Sequence, residues 1–142
     1  MTQGPAVIDT NVVVSGLLTA DSDSPTARIL DAMLAGQFRF LISAELLSEY
    51  REVLLRPKIR RRHRLSDAEV DVLLTDIAAA GIFLEIEVPT GGRGRKDDDH
   101  IRQILVADSS AVLVTGDLKL VVALGKGVRV LTARAFTERL IE

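Results

Sequence analysis

The strongest constraint on the fold is an alternation: short β-branched or apolar runs recur between segments whose apolar residues keep a helical period. Ala6-Val7-Ile8, Phe38 to Ile42, Ile82 to Val88, Ala111 to Thr115 and Val128 to Leu131 read as strands. Between them, Ala27, Ile29, Leu30, Met33 and Leu34 recur at helical spacing up to Gly36. Leu46, Leu47, Tyr50, Val53 and Leu54 form a second stripe, with Pro57 just beyond it. Ser66-Asp67-Ala68-Glu69 has the form of a capping box, opening a helix that runs through Ala80 to a stop at Gly81. Further helices are expected after Asp9, from Asp97-Asp98-Asp99 through Ala107, over Leu118 to Leu124, and from Thr132 to Ile141. Strands alternating with helices at this spacing predict an α/β protein whose mainly parallel sheet of about five strands is covered on both faces, an α/β/α sandwich of three layers.

A chain of 142 residues is long enough for one core and too short for two ordinary domains, so residues 1–142 are read as a single domain. Hydrophobic residues at 47% against 27% charged exclude a disordered tail. The absence of Cys excludes disulfides, thiolate zinc sites and cysteine nucleophiles, and a reducing cytoplasm fits best. Met1-Thr2-Gln3-Gly4 carries no basic leader, and no apolar run approaches the roughly 18 residues that cross a bilayer, so no membrane association is expected. A net charge of −2 gives no global attraction to nucleic acid, but the charge is unevenly placed. Arg51, Arg56, Lys58, Arg60, Arg61, Arg62 and Arg64 are opposed only by Glu52, and Arg93, Arg95 and Lys96 form a second basic knot.

In an open parallel sheet, ligands bind outside the carboxyl ends of the strands, so the residues that follow strands are the first to examine. Asp9 ends the first strand and Asp117 follows the fourth; they converge if those strands are neighbours. Each taken singly also suits a helix N-cap. Asp98 or Asp99 stands at another helix start, where acids suit the macrodipole. A fourth carboxylate comes from the segment Ala44 to Leu55. Measured from the centre of its apolar stripe, Glu49 lies about 100° away, Glu45 about 140° and Glu52 about 160°, so only Glu49 borders the core. Four carboxylates in one crevice raise each other's pKa unless a cation neutralises them. All-oxygen donors without Cys or a His pair suit Mg²⁺ or Mn²⁺, and such a site fits phosphoryl chemistry.

At these residues the chain resembles the PIN-domain family. Val7-Ile8-Asp9-Thr10-Asn11 matches its opening strand motif and Val112-Leu113-Val114-Thr115-Gly116-Asp117 its late one. Ile42 to Tyr50 looks like the middle segment, with the family's acid at Glu49, and Asp97-Asp98-Asp99 looks like the third acidic block. The likeness runs from about Ala6 to Leu140 and is greatest to toxins of toxin–antitoxin pairs related to VapC-type ribonucleases. It departs at the third block, where that subgroup commonly has Asp-Pro-Asp-Asp and this chain has Arg95 and Lys96 in the first two places. With Asp98 as reference, Ile101 and Leu105 fall on the family's buried helix face; with Asp99 those places hold Arg102 and Val106, so Asp98 is preferred and Asp99 held in reserve.

The resemblance implies a PIN-like, Rossmann-like fold and a Mg²⁺- or Mn²⁺-dependent endoribonuclease. Its metal ligands and catalytic acids would be Asp9, Glu49, Asp98 and Asp117, with Asn11 and Thr115 in supporting polar roles. A cognate antitoxin covering the crevice and a homodimer are the partners it suggests. Arg56, Lys58, Arg60, Arg61, Arg62 and Arg64 are the natural contacts for an RNA backbone, although a solvated surface helix would look the same. Asn11 stands where an aspartyl phosphatase needs its second Asp, which argues against that enzyme. A catalytically silent RNA- or protein-binding module, its acids only capping helices, is the other reading. Gly91-Gly92-Arg93-Gly94 and Gly125-Lys126 lack the spacing of dinucleotide and P-loop motifs. His63 and His100 have no partner in the sequence and are read as structural.

Overall fold

The computed structural model describes residues 4–86 and 96–141; the side chains of residues 96–98 and of Ile141 are outside that description. Among the described residues four strands flank β1 (Ala6–Ile8), each parallel to its neighbour. On one side β1 pairs with β4 (Val112–Val114), which pairs with β5 (Arg129–Leu131). On the other side a bridge between Ala6 and Phe40 leads to β2 (Leu41–Ile42), which pairs with β3 (Ile82–Phe83). The order is therefore β3-β2-β1-β4-β5. Val7, Ile8, Leu113, Val114 and Ile42 are completely buried, as expected of central strands covered on both faces.

Eight helices among the described residues complete a three-layer α/β/α fold. α1 (Thr10–Leu18) packs on α2 (Pro25–Leu34) so closely that a side-chain carbon at Gly16 would meet the Thr26 carbonyl oxygen at 2.5 Å. α2 begins where the sequence gives both signals for it, with Ser24 capping and Pro25 in the first turn. It ends before Gly36, whose φ of 66° is open only to residues tolerant of the left-handed region. α3 (Ala44–Leu54) is capped by Ser43, and α5 (Asp67–Ala80) by the Ser66–Glu69 capping box. α6 (Lys96–Ala107) packs on α7 (Leu118–Leu124), and α8 (Ala133–Ile141) follows β5.

Two expectations change, and a third segment gains definite bounds. The second strand is limited to Leu41–Ile42, with only the bridge at Phe40 before it; Phe38 lies outside the pairing, its ring tilted against Phe40 and edge-on to Phe136 at centroid distances of 5.7 and 5.0 Å. Pairing of the third strand ends at Phe83, well short of Val88; residues 87 and 88 lie outside the described part. The basic stretch forms a separate short helix, α4 (Pro57–His63), because Pro57 ends one helix and starts the next. His63 fastens it: the Leu65 N–H donates to Nδ1 at 2.9 Å, so Nε2 carries the proton to the Leu54 carbonyl at 2.8 Å. His63 is thus structural, as read from the sequence.

Candidate active site

The strand order reverses at β1 and β4, which places the crevice at their carboxyl ends. Asp9 follows β1 there, 6% exposed, with its N–H bonded to the Val114 carbonyl at 3.0 Å. Its carboxylate does two things at once. Oδ1 accepts the Thr10 N–H at 2.9 Å and so caps α1, while Oδ2 accepts the Thr115 hydroxyl at 2.6 Å. An ionised carboxylate only accepts, so the Thr115 proton must point to Asp9, leaving Oγ1 to accept the Asp117 N–H at 3.0 Å. Asp117 caps α7, its Oδ1 accepting from Lys119 and Leu120 at 3.0 and 3.3 Å. The convergence of Asp9 and Asp117 expected from the sequence therefore has a physical link, the Thr115 hydroxyl.

Glu49 reaches the same rim from α3. Its neighbour Tyr50, completely buried in the core, donates its hydroxyl proton to the Ile8 carbonyl at 2.5 Å, fixing α3 against the end of β1. Glu49 is then held by the Thr10 hydroxyl, which donates to Oε2, and faces His100, whose Nε2 stands 3.7 Å from Oε1. The two carboxylates titrate differently. Burial pushes Asp9 above its ordinary pKa, the nearby Glu49 and Asp117 charges adding to it against the hydrogen bonds from Thr115 and Thr10. Burial acts in the same sense on Glu49 but is outweighed by His100 and Thr10, with a further attraction from Arg56, so Glu49 lies below its ordinary value.

The rest of the sequence-derived set is distributed around this centre. Glu52 is exposed and Glu45 half-buried, neither joining it. Asn11 is exposed and lines a cleft of about 700 Å³ with Asp117, Gly116, Thr26 and Lys119. It also lines an adjoining hollow of about 430 Å³ with Ser15, Ile59 and Arg62. Of the basic residues, Arg60 pairs with Asp67 and Arg56 lies 3.9 Å from Glu52. Lys58, Arg61, Arg62 and Arg64 have no ion-pair partner among the described residues. Asp99 is half-buried, and the Asp98 side chain lies outside the described residues, as do Arg93 and Arg95. Among the described residues no three acidic or imidazole groups already enclose a metal-sized point.

Three contributors were missed by the sequence reading: Thr10, Tyr50 as a hydrogen-bond donor, and His100. Only His100 left a signal, since it precedes Ile104 by one helical turn and so falls on the buried face of its helix. Acidic side chains at the switch point of a parallel α/β sheet, one buried and linked through a threonine to the next, define a nuclease-like α/β protein. The PIN domain family model matches residues 5–119, and the chain belongs to that family. Comparison with curated proteins gives no match.

Proposed function

We propose that this PIN domain is a Mg²⁺- or Mn²⁺-dependent endoribonuclease and the toxin of a toxin–antitoxin pair. The observation that carries the reading is Asp9: a carboxylate buried at the strand switch point, with Glu49 and Asp117 close enough to push its pKa up further. A group in that position is relieved by a divalent cation. The donors fit hard ions, since Asp9 retains lone pairs beyond its two hydrogen bonds and both capping bonds to Asp117 fall on Oδ1. Asp9, Glu49, Asp98 and Asp117 would hold the metal, which when bound supplies an activated water and neutralises charge on the attacked phosphate.

The chain's own residues orient that site. Thr115 fixes the Asp9 carboxylate, Thr10 fixes Glu49, and Asn11 faces the cleft beside Asp117 with a side chain able to donate to a phosphate oxygen. Lys58, Arg61, Arg62 and Arg64 supply phosphate-backbone contacts from α4, and Arg62 shares a hollow with Asn11, so backbone binding and the acidic cleft are contiguous. Leu118 and Val122 are 78% and 80% exposed on α7, one turn apart, with Leu118 lining the cleft. An antitoxin that covers the cleft would gain an apolar foothold there. No described helix is long and apolar enough to cross a membrane.

The test is cleavage of a mixed RNA pool by purified protein with Mn²⁺, with EDTA, and by the Asp9→Asn and Asp117→Asn variants. Asn caps helices as well as Asp, so both variants should fold. Metal-dependent cleavage lost in both is expected. Equal cleavage in every sample would indicate a contaminant, and neither cleavage nor Mn²⁺ binding would favour a silent binding module.

A further inference from the structure

His100 is 5% exposed, yet neither ring nitrogen has a hydrogen-bond partner among the described residues. Leaving a polar atom buried and unsatisfied is unfavourable, and an apolar side chain would serve better beside the buried Ile101 and Ile104. A group kept there against its own hydration calls for a partner, and one faces it: Nε2 is 3.7 Å from Glu49 Oε1, while Thr10 holds the other oxygen. That gap exceeds an N–H···O bond of about 2.9 Å by less than an ångström, within reach of rotation about the last bonds of a Glu side chain. We infer that His100 is a positioning residue for Glu49. Its Nε2–H holds the carboxylate from the α6 side as Thr10 holds it from the α1 side, so that Glu49 meets its ligand in one orientation.

The inference rests on Glu49 being an acid of the proposed nuclease, and its test separates the two. His100→Leu removes the donor together with the unpartnered nitrogens, so the variant should fold with an unchanged or higher melting temperature. Its kcat and Mn²⁺ affinity should each fall about 10- to 100-fold, the effect typical of losing a partner that orients a metal ligand, with KM for RNA unchanged. His100→Gln places an amide N–H near the position of Nε2 and should recover most of the loss. Wild-type turnover in His100→Leu, a change in KM alone, or no recovery by Gln would each overturn the assignment, the last pointing to His100 as a ligand in its own right.

Imidazole ¹⁵N resonances test the contact without turnover. Nε2 must carry a proton, and its resonance must move in Glu49→Gln; a ring protonated only at Nδ1 overturns the inference whatever the nuclease assay shows. Wild-type protein that cleaves nothing while showing the expected ¹⁵N signature would instead defeat the nuclease reading and leave the His100–Glu49 contact standing.

Discussion

The rim of β1 and β4 and the helix α4 face the same cleft region but are built in opposite ways. At the rim, Asp9, Thr10, Glu49, Tyr50 and Thr115 are locked by side-chain hydrogen bonds; Tyr50 is fully enclosed, Asp9, Thr10 and Thr115 are almost wholly buried, and Glu49 is half-buried. On α4 no residue is buried, the N-cap Arg56 makes no side-chain capping bond, and Lys58, Arg61, Arg62 and the C-cap Arg64 stand without an ion-pair partner among the described residues. On the proposed function, the difference separates two tasks. Chemistry needs groups fixed before the substrate arrives, whereas a phosphate backbone of varied sequence is better met by mobile, long side chains.

The largest effect that would break this comparison is at Asp9 and Asp117. Replacing either with Asn should lower kcat/KM by more than the roughly 100-fold that loss of an outer-sphere partner costs, measured with Mn²⁺ under single-turnover conditions. Next is Tyr50→Phe, which strips the Ile8 carbonyl of a buried donor; a destabilisation of roughly 1–3 kcal/mol in urea unfolding is expected, with a smaller fall in kcat as α3 loosens. On α4 the expected pattern is different in kind. Arg61→Gln with Arg62→Gln should raise KM, spare kcat, and flatten the salt dependence of RNA binding by about 0.7 in log–log slope for each phosphate contact removed. A kcat loss there would abolish the division of labour.

The smallest effect sharpens the comparison through pH. The folded Asp9 pKa lies above its unfolded value, so without metal the fold binds the proton more tightly than the unfolded chain does. Stability from this group is lost as pH rises from about 4 through the raised value. Metal-free wild type should therefore lose melting temperature between acid and neutral pH relative to Asp9→Asn, and added Mn²⁺ should remove the difference. A variant with the same pH dependence as wild type would mean that the buried carboxylate is not under strain.

Much of this arrangement was legible in the sequence because it rests on local rules. Asp9, Asp117 and Ser66 precede helices that they cap, and the apolar stripe of α3 placed Glu49 at the core margin, where it is found. The adjacency of β1 and β4 was not legible, since pairing between residues over a hundred positions apart leaves no periodic trace; the sequence makes the convergence of Asp9 and Asp117 conditional on it, and the structure meets that condition. The same reason hid Thr10 and His100, whose roles depend on meeting Glu49 from two other helices. The helix α4 was foreseen only as a solvated surface helix without bounds, because seven residues rich in Arg carry no apolar period to fix its ends.

Asp9 is at once the cap of α1 and the acceptor of the Thr115 hydroxyl, so whatever draws on that carboxylate is felt in two places along the backbone. The Thr10 amide leans on one oxygen directly, and the Asp117 amide leans on the other through Thr115. On the proposed function, an ion held in the crevice would therefore alter the exchange rates of the Thr10 and Asp117 amide protons. They would give a readout of loading that requires neither substrate nor turnover, and that a spectroscopist could follow as Mn²⁺ is titrated in.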